Sequence, residues 1–327
     1  MKRILITGAA GSVGSALTSK LLGADDNIVC AYDNSEDGLF NLYNNNEKNS
    51  RLRIFFGDVR DYSRLVDAFK NVDIVYHCAA MKHVSISELN PFDAIQTNVI
   101  GVKNVISSAL FNNVSKVLFT SSDKAVNPTS TMGTTKLLGE KVCIDANRIS
   151  GHNSTIFSCV RFGNILESKG SFLHIFKSQY ERKLKPTLTS SDMSRFFLTL
   201  NDAVDLCVVA ADHMVGSELF ILSMHSAYVT DVAKYYLNDL ELEFDIIGCK
   251  PGEKLYEELL TEQEATRACR YNGMVTILPE DRNSLPLKIR SKLDKYDLCE
   301  KADQKLRSDQ NMLGLDQLHS LFNNSGE

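Results

Sequence analysis

Short apolar runs alternate with longer stretches whose apolar residues recur every three or four positions, and this rhythm governs the first half of the chain. Arg3 to Thr7 is apolar, Gly8-Ala-Ala-Gly11-Ser12-Val13-Gly14 follows, and an amphipathic stretch runs through Leu22. Strand, tight turn and helix are the predicted elements. A second apolar run, Asn27 to Tyr32, ends in Asp33-Asn34-Ser35. Glu36 to Ser50 is polar and rich in asparagine, which predicts a loop, and a strand at Arg53 to Phe56 leads into Gly57-Asp58-Val59-Arg60-Asp61. A fourth strand, Asp73 to Cys78, runs into Ala79-Ala80-Met81-Lys82-His83-Val84. A helix from about Phe92 to Phe111, carrying Asn98, then precedes a fifth apolar run at Val117 to Phe119.

Thr120 to Lys136 follows that run and leads into a helix that reaches about Ser150. A strand from Thr155 to Val160 ends in Arg161-Phe162-Gly163-Asn164. Alternation of this kind predicts an α/β fold built on a doubly wound parallel sheet. Beyond Asn164 the rhythm loosens into short pieces: Gly170-Ser171, Lys185-Pro186, Arg195-Phe196-Phe197, a helix near Ala203 to Asp212, and Lys250-Pro-Gly-Glu253-Lys254. The expected organisation is a core over 1–164 to which later segments return, a smaller lobe over 165–280, and peripheral helices or a partly disordered tail over 281–327.

Composition narrows the functional classes. A chain of 327 residues with net charge −5 offers no clustered cations for nucleic acid. No apolar run approaches the ~20 residues that span a bilayer, and the glycines after Thr7 interrupt the N-terminal run too early for a signal-peptide core. The eight cysteines are scattered without a CxxC pair. They read as reduced, mostly buried residues of a cytoplasmic protein, with no metal site or disulfide framework.

The glycine turn is the first candidate for chemistry. Gly8, Gly11 and Gly14, with Ser12 and Val13 between them, open a helix directly after a strand, which lets backbone N–H groups approach a pyrophosphate. Asp33, with Asn34 and Ser35, stands where a carboxylate accepts hydrogen bonds from an adenosine ribose and repels a 2′-phosphate, favouring NAD over NADP. The alternative is that Asp33 only shapes the turn. Asp58, beside Val59, meets an adenine amine or else caps the next helix. Ala79 and Ala80 are small enough to let a cofactor lie close, with Lys82 and His83 projecting toward the nicotinamide side; His83 equally fits a half-buried structural histidine.

The densest polar cluster is Thr120-Ser-Ser122-Asp123-Lys124, at the expected carboxyl end of the fifth strand, where open α/β sheets place their chemistry. Asp123 and Lys124 make an acid and base side by side, or a solvated turn ion pair of small energetic weight. Met132 stands four residues before Lys136.

Taken together these stretches resemble the extended short-chain dehydrogenase/reductase superfamily, and within it the 4,6-dehydratases of nucleotide-activated N-acetylhexosamines from bacterial surface-glycan pathways. The resemblance spans about residues 2–280 and rests on Ala79 to Val84, Glu88-Leu-Asn-Pro91, Thr97-Asn98, Ser122 to Pro128, Val160 to Asn164, Ser194-Arg-Phe196 and Pro251 to Lys254. The superfamily's Tyr-x-x-x-Lys relay reads here Met132-x-x-x-Lys136. Tyrosine-based catalysis is thereby ruled out, although one branch of these dehydratases carries methionine at this place.

The resemblance implies bound NAD, a nucleotide-sugar substrate and a homo-oligomer. Lys124 becomes the base over C5, Asp123 the acid at the C6 hydroxyl and the acceptor of the C4 hydroxyl proton through Ser122 or water, and Lys136 the holder of the nicotinamide ribose. Thr120 and Asn98 join Gly8 to Gly14, Asp33 to Ser35, Asp58, Val59, Ala79, Ala80 and Lys82 on the cofactor side. Lys82, His83, Asn164, Gly170, Ser171, Arg195 and Glu253 are candidates for holding the substrate. Arg195 also suits a structural ion pair, and Glu253 either a nucleotide ribose or the orientation of Lys254. UDP-N-acetylglucosamine with retention at C5 is the expected reaction. A nucleotide-sugar C4 epimerase and a non-catalytic dinucleotide-binding regulator are the rival expectations.

Overall fold

The computed structural model describes residues 1–24, 26–150, 155–166, 168, 170–302, 306–318 and 322. In chain order the first half holds β1 (Arg3–Thr7), α1 (Ser12–Gly23), β2 (Ile28–Asp33), α2 (Glu36–Asn45), β3 (Leu52–Phe56), α3 (Tyr62–Ala68), β4 (Ile74–His77) and α4 (Val84–Leu89). Then come α5 (Pro91–Ile95), a π-helical turn (Gln96–Ile100), α6 (Gly101–Phe111), β5 (Lys116–Ser122), α7 (Thr131–Ile149) and β6 (Ile156–Phe162). The second half holds β7 (Asn164–Ile165), α8 (Phe172–Glu181), β8 (Thr187–Leu188), β9 (Ser194–Leu198), α9 (Leu200–His213), β10 (Leu219–Leu222), β11 (His225–Tyr228) and α10 (Val229–Leu237). It ends with β12 (Asp245–Ile246), α11 (Glu262–Ala265), β13 (Ala268–Tyr271), β14 (Met274–Ile277), α12 (Leu287–Leu293) and β15 (Glu300–Lys301).

One ten-stranded sheet carries the order β15-β13-β14-β10-β6-β5-β4-β1-β2-β3. Strands from β3 to β10 run parallel, whereas β14, β13 and β15 close the far edge antiparallel. Both faces are covered, which is why the central strands read as unbroken apolar runs. Leu5, Val75, Val117 and Phe157 pack on one face with Val102, Val105 and Cys143 of α6 and α7. Ile4, Ile6, Tyr76 and Leu118 pack on the other with Leu17 of α1 and Leu206 of α9. Chain order reverses between β1 and β4, and a crevice outside the carboxyl ends of strands at such a switch point is where these sheets take ligands.

The smaller lobe is built from β11-β9-β7, the β12-β8 pair, α8 and α10. Its core joins Phe176, Phe197, Val232 and Leu242, with Phe172 stacked edgewise on Phe176. Four expectations need correction. Glu36 to Asn45 is helical: Ser35 caps it by accepting from Gly38 N–H, acidic residues occupy its first turn, and Leu39 and Leu42 are buried. Phe92 to Phe111 is not one regular helix but includes the π turn that holds Asn98. The helix expected beyond Lys136 begins earlier, at Thr131, capped by Ser130. In the 281–327 stretch, β15 pairs with β13 and enters the main sheet; 303–305, 319–321 and 323–327 lie outside the described residues.

Candidate active site

The glycine turn is shaped by contacts no larger residue tolerates. Gly8 has φ of 69°, and a Cβ there would lie 2.6 Å from Ala79 N. A Cβ on Gly14 would press into the carbonyl oxygen of Gly8. Helix α1 starts at Gly11 without a side-chain cap and without an acidic residue in its first turn, so Ser12, Val13 and Gly14 present the positive end of a helix to the crevice. Asp33 is anchored beside them, accepting from Ala10 N–H and Ser35 N–H at 2.9 Å each. The cradle fits a dinucleotide pyrophosphate with an acid next to it.

Around the adenine end, Asp58 does not cap the following helix; Asp61 does, accepting from Arg64 N–H. Asp58 instead accepts from Arg60 Nη2 (2.7 Å), Arg60 Nε (3.0 Å) and Asn34 Nδ2 (3.3 Å), and the Arg60 hydrogen bonds hold its carboxyl below the usual range. Val59 is buried against Gly101.

The floor of the crevice comes from β4 and β5. Thr7 Oγ1 and His77 Nδ1 are 2.6 Å apart, and Thr120 Oγ1 donates to His77 O. His77 Nε2 is buried without a hydrogen-bond partner, and burial, followed by the Lys136 charge, drops the imidazole to about 3, so it is neutral. Lys136 donates to Thr120 O at 2.6 Å and lies over the Phe119 ring; burial pulls its amine down to about 8. Ala79 and Ala80 follow β4, and the loop there is fixed by Asn98. The Asn98 side chain accepts from Met81 N–H (2.8 Å) and donates to Met81 O and Thr135 Oγ1 (3.0 Å each). Asn98 therefore clamps the loop on the cofactor side of the crevice.

Asp123 and Lys124 meet at the end of β5. Asp123 is fully buried, and its Oδ1 accepts from Ser122 Oγ and Lys124 Nζ, both at 2.9 Å. Its Oδ2 is buried with no partner. Lys124 Nζ also donates to Asn164 Oδ1 at 3.2 Å, and its side chain keeps 24% exposure. A solvated turn ion pair would have both members in water, and this one does not. Helix α7 packs hard on the turn: a Cβ at Gly133 would strike Lys124 O. Met132, 3% exposed, therefore lies one helical turn before Lys136.

The substrate candidates divide. His83 touches Gly170, whose φ is 70° and where a Cβ would sit 3.0 Å from His83 Cε1. Burial lowers the proton affinity of both Lys82 and His83. Ser171 precedes α8 with its Oγ buried and unpartnered. Asn164, as above, joins Lys124. Glu253 accepts from Thr189 Oγ1 (2.7 Å) and Lys250 N–H (3.2 Å), which braces its own loop. Arg195 is 7% exposed and gives its fork to the carbonyls of Ser194 (2.7 Å), Lys254 (2.8 Å) and Leu255 (3.2 Å). It braces the lobe to the loop through these carbonyls. Sequence reading missed Glu257, 3% exposed beneath the same loop. Only the acidic pair Glu257-Glu258 after Lys254 hinted at it.

Among the described residues no group of acidic, histidine or cysteine side chains could hold a metal ion, and no helix is long and apolar enough to cross a membrane. A relative from Campylobacter jejuni named UDP-N-acetylglucosamine 4,6-dehydratase (inverting) is 37% identical over 280 residues, covering 85% of this chain and 83% of that one. A Rickettsia massiliae relative named UDP-glucose 4-epimerase is 35% identical over 275 residues, covering 82% and 80%. The X-ray structure of Pen from Bacillus thuringiensis superposes with a TM-score of 0.89 at 36% identity, covering 99% of this chain and 97% of that one. The family model described as "Polysaccharide biosynthesis protein" matches residues 4–279. With that match laid over the parallel sheet, glycine cradle and Met-x-x-x-Lys helix, the chain belongs to the polysaccharide biosynthesis protein family of extended short-chain dehydrogenase/reductases.

Proposed function

We propose that the protein is an NAD-dependent 4,6-dehydratase of a nucleotide-activated N-acetylhexosamine, with UDP-N-acetylglucosamine as substrate. The observation that carries this reading is the fully buried Asp123 carboxylate sharing one oxygen between Ser122 and Lys124 while its other oxygen has no partner. NAD rather than NADP is favoured by Asp33 beside the glycine turn and by Arg60, whose guanidinium is engaged by Asp58 and is not offered to a 2′-phosphate. Gly8 to Gly14 and Asp33 would hold NAD, which would supply the hydride acceptor for C4 of the sugar and the hydride donor for C6.

The chain's own groups handle protons. Asp123, reached directly or through Ser122, accepts the C4 hydroxyl proton, which leaves it ready to protonate the departing C6 hydroxyl as water. Lys124 removes the C5 proton acidified by the C4 ketone. Sugar and cofactor end the cycle with one water lost and no net redox change. Retention at C5 is proposed from the likeness of Met132-x-x-x-Lys136 to the methionine branch of these dehydratases, whereas the name of the Campylobacter relative carries the opposite outcome, inversion. Lys136, tied to Thr120 O, supplies positive field and a ribose contact rather than phenol activation.

A C4 epimerase is the second reading, favoured by the Rickettsia relative's name. It gives no role to an acid and base poised over C5 and C6. Incubating the purified protein with UDP-N-acetylglucosamine and recording product mass decides: loss of one water supports dehydration, and unchanged mass with inverted C4 supports epimerisation. Cofactor binding with no sugar consumed returns the non-catalytic regulator. In D2O, the configuration of the deuterated C5 separates retention from inversion. Exposed Phe92, Ile95, Ile100, Leu138 and Ile149 on α5 to α7 suit a second copy of the chain, which light scattering would register.

A further inference from the structure

The segment from Gly252 to Glu258 crosses the turn that follows β5 and is strapped to it. Lys254 Nζ donates to Val126 O (2.8 Å), Thr129 Oγ1 to Gly252 O (3.1 Å) and Asn127 Nδ2 to Glu258 Oε2 (2.7 Å). Glu257 lies under this strap, its N–H bonded to Ser308 Oγ at 2.9 Å. Its carboxylate is nearly out of solvent yet poorly served. Oε1 is 3.9 Å from Arg195 Nε and Oε2 is 3.7 Å from Lys254 Nζ, both beyond hydrogen-bond length, and Oε2 has no hydrogen-bond partner. The two cations that would neutralise it are committed to backbone carbonyls, Arg195 to three and Lys254 to Val126.

The charged groups facing Glu257 are Asp123 and Lys124 from the turn after β5, Arg195 from β9 and Lys254 from its own segment. Burial raises its proton affinity, the Asp123 charge raises it further, and Lys124, Arg195 and Lys254 oppose. Asp123 Oδ2 and Glu257 Oε2 are then two buried carboxylate oxygens, each without a partner, on the two strapped segments. A structural glutamate would be expected to find a direct hydrogen bond in such a place.

We propose that Glu257 is a positioning residue for proton transfer, a buried carboxylate held under the strap whose charge acts on the Lys124 ammonium. The purpose of the device rests on the dehydratase reading, but its test does not. Lys124 Nζ is acylated with isotopically coded acetic anhydride across a pH series in the native protein, E257Q and E257D, and peptide mass spectrometry gives the labelling midpoint. Without the negative charge, ammonium is less favoured, so the midpoint in E257Q falls by about half a pH unit or more, and E257D restores most of it. An unmoved midpoint in folded E257Q overturns the assignment.

If E257Q fails to fold, the native protein decides by NMR with carboxyl-labelled glutamate. The Glu257 resonance must move again at the pH where Lys124 titrates, and a resonance indifferent to Lys124 overturns the assignment. Failure of the dehydratase reading looks different: native protein releases no water from any activated sugar, while the labelling shift persists.

Discussion

Asp123 and Lys124 are joined through a single carboxylate oxygen, Oδ1, which leaves Oδ2 of Asp123 bare inside the protein. An arrangement serving stability alone would be better with both oxygens satisfied. Substituting Asp123→Asn or Lys124→Met is expected to lower water elimination by at least about 100-fold, the usual scale of a lost general acid or base. NAD affinity, measured by calorimetric titration, stays at the native value. Near-native turnover in either variant removes that residue from the chemistry.

Two glycines on one helix make a controlled comparison. Gly14→Ala drives a methyl into the Gly8 carbonyl, whereas Gly23, at the other end of α1, has nothing within 4 Å of an added Cβ. The first substitution is expected to weaken NAD binding by at least about tenfold by displacing the turn. The second leaves binding intact and stabilises the fold by up to about 1 kcal/mol. Thermal melts with and without NAD read both.

Lys136 and His77 give stability a pH dependence from opposite ends. The Lys136 amine, at about 8 in the fold against 10.5 ordinarily, holds fewer protons folded than unfolded between those values, so stability rises as pH climbs from 8 toward 10.5. Lys136→Met is expected to be more stable than the native chain at pH 7 and to lose that alkaline rise. The His77 imidazole sits at about 3 against 6.5, so stability is lost as pH falls from 6.5 toward 3. His77→Gln flattens that acid limb. Urea midpoints across pH provide the measurement.

Arg161 is a buried cation with two acidic partners. It donates to Glu140 Oε2 at 2.7 Å and Glu264 Oε1 at 3.0 Å, and also to Leu259 O at 2.7 Å. Arg161→Met strands Glu140, 2% exposed, and is expected to cost about 3–5 kcal/mol. The double variant Arg161→Met/Glu140→Met recovers part of the loss, because Glu140 is no longer stranded while Glu264, 15% exposed, still lacks its cation. Urea unfolding distinguishes this from a simple packing defect, for which the second substitution would add to the first.

What the sequence disclosed was local. The glycine turn, Asp33, and the acid and base after β5 are contiguous, and each reads from neighbours a few positions away. Asparagine masked α2, since its helix depends on a Ser35 cap and on Leu39 and Leu42 meeting the sheet, and propensity is a weak prior against tertiary packing. The bracing bonds of Arg195 to Lys254 and Leu255, and of Asn98 to Met81 and Thr135, join groups remote in sequence and could not be read from neighbours. Glu257 was invisible for the same reason: a glutamate in an acidic stretch acquires meaning only when Asn127, Thr129 and Lys254 bring its segment over the β5 turn.

The strap has a consequence for how the protein comes into being. Synthesis delivers Gly8 to Gly14, Asp33 and β1 to β6 first, while Lys254, Glu257 and the strands β10, β13, β14 and β15 arrive later. A nascent chain halted after β6 would carry its coenzyme cradle before the strap reaches Val126, Asn127 and Thr129. Ribosomal order thus sets the making of the cradle apart from the fastening of the turn beside it.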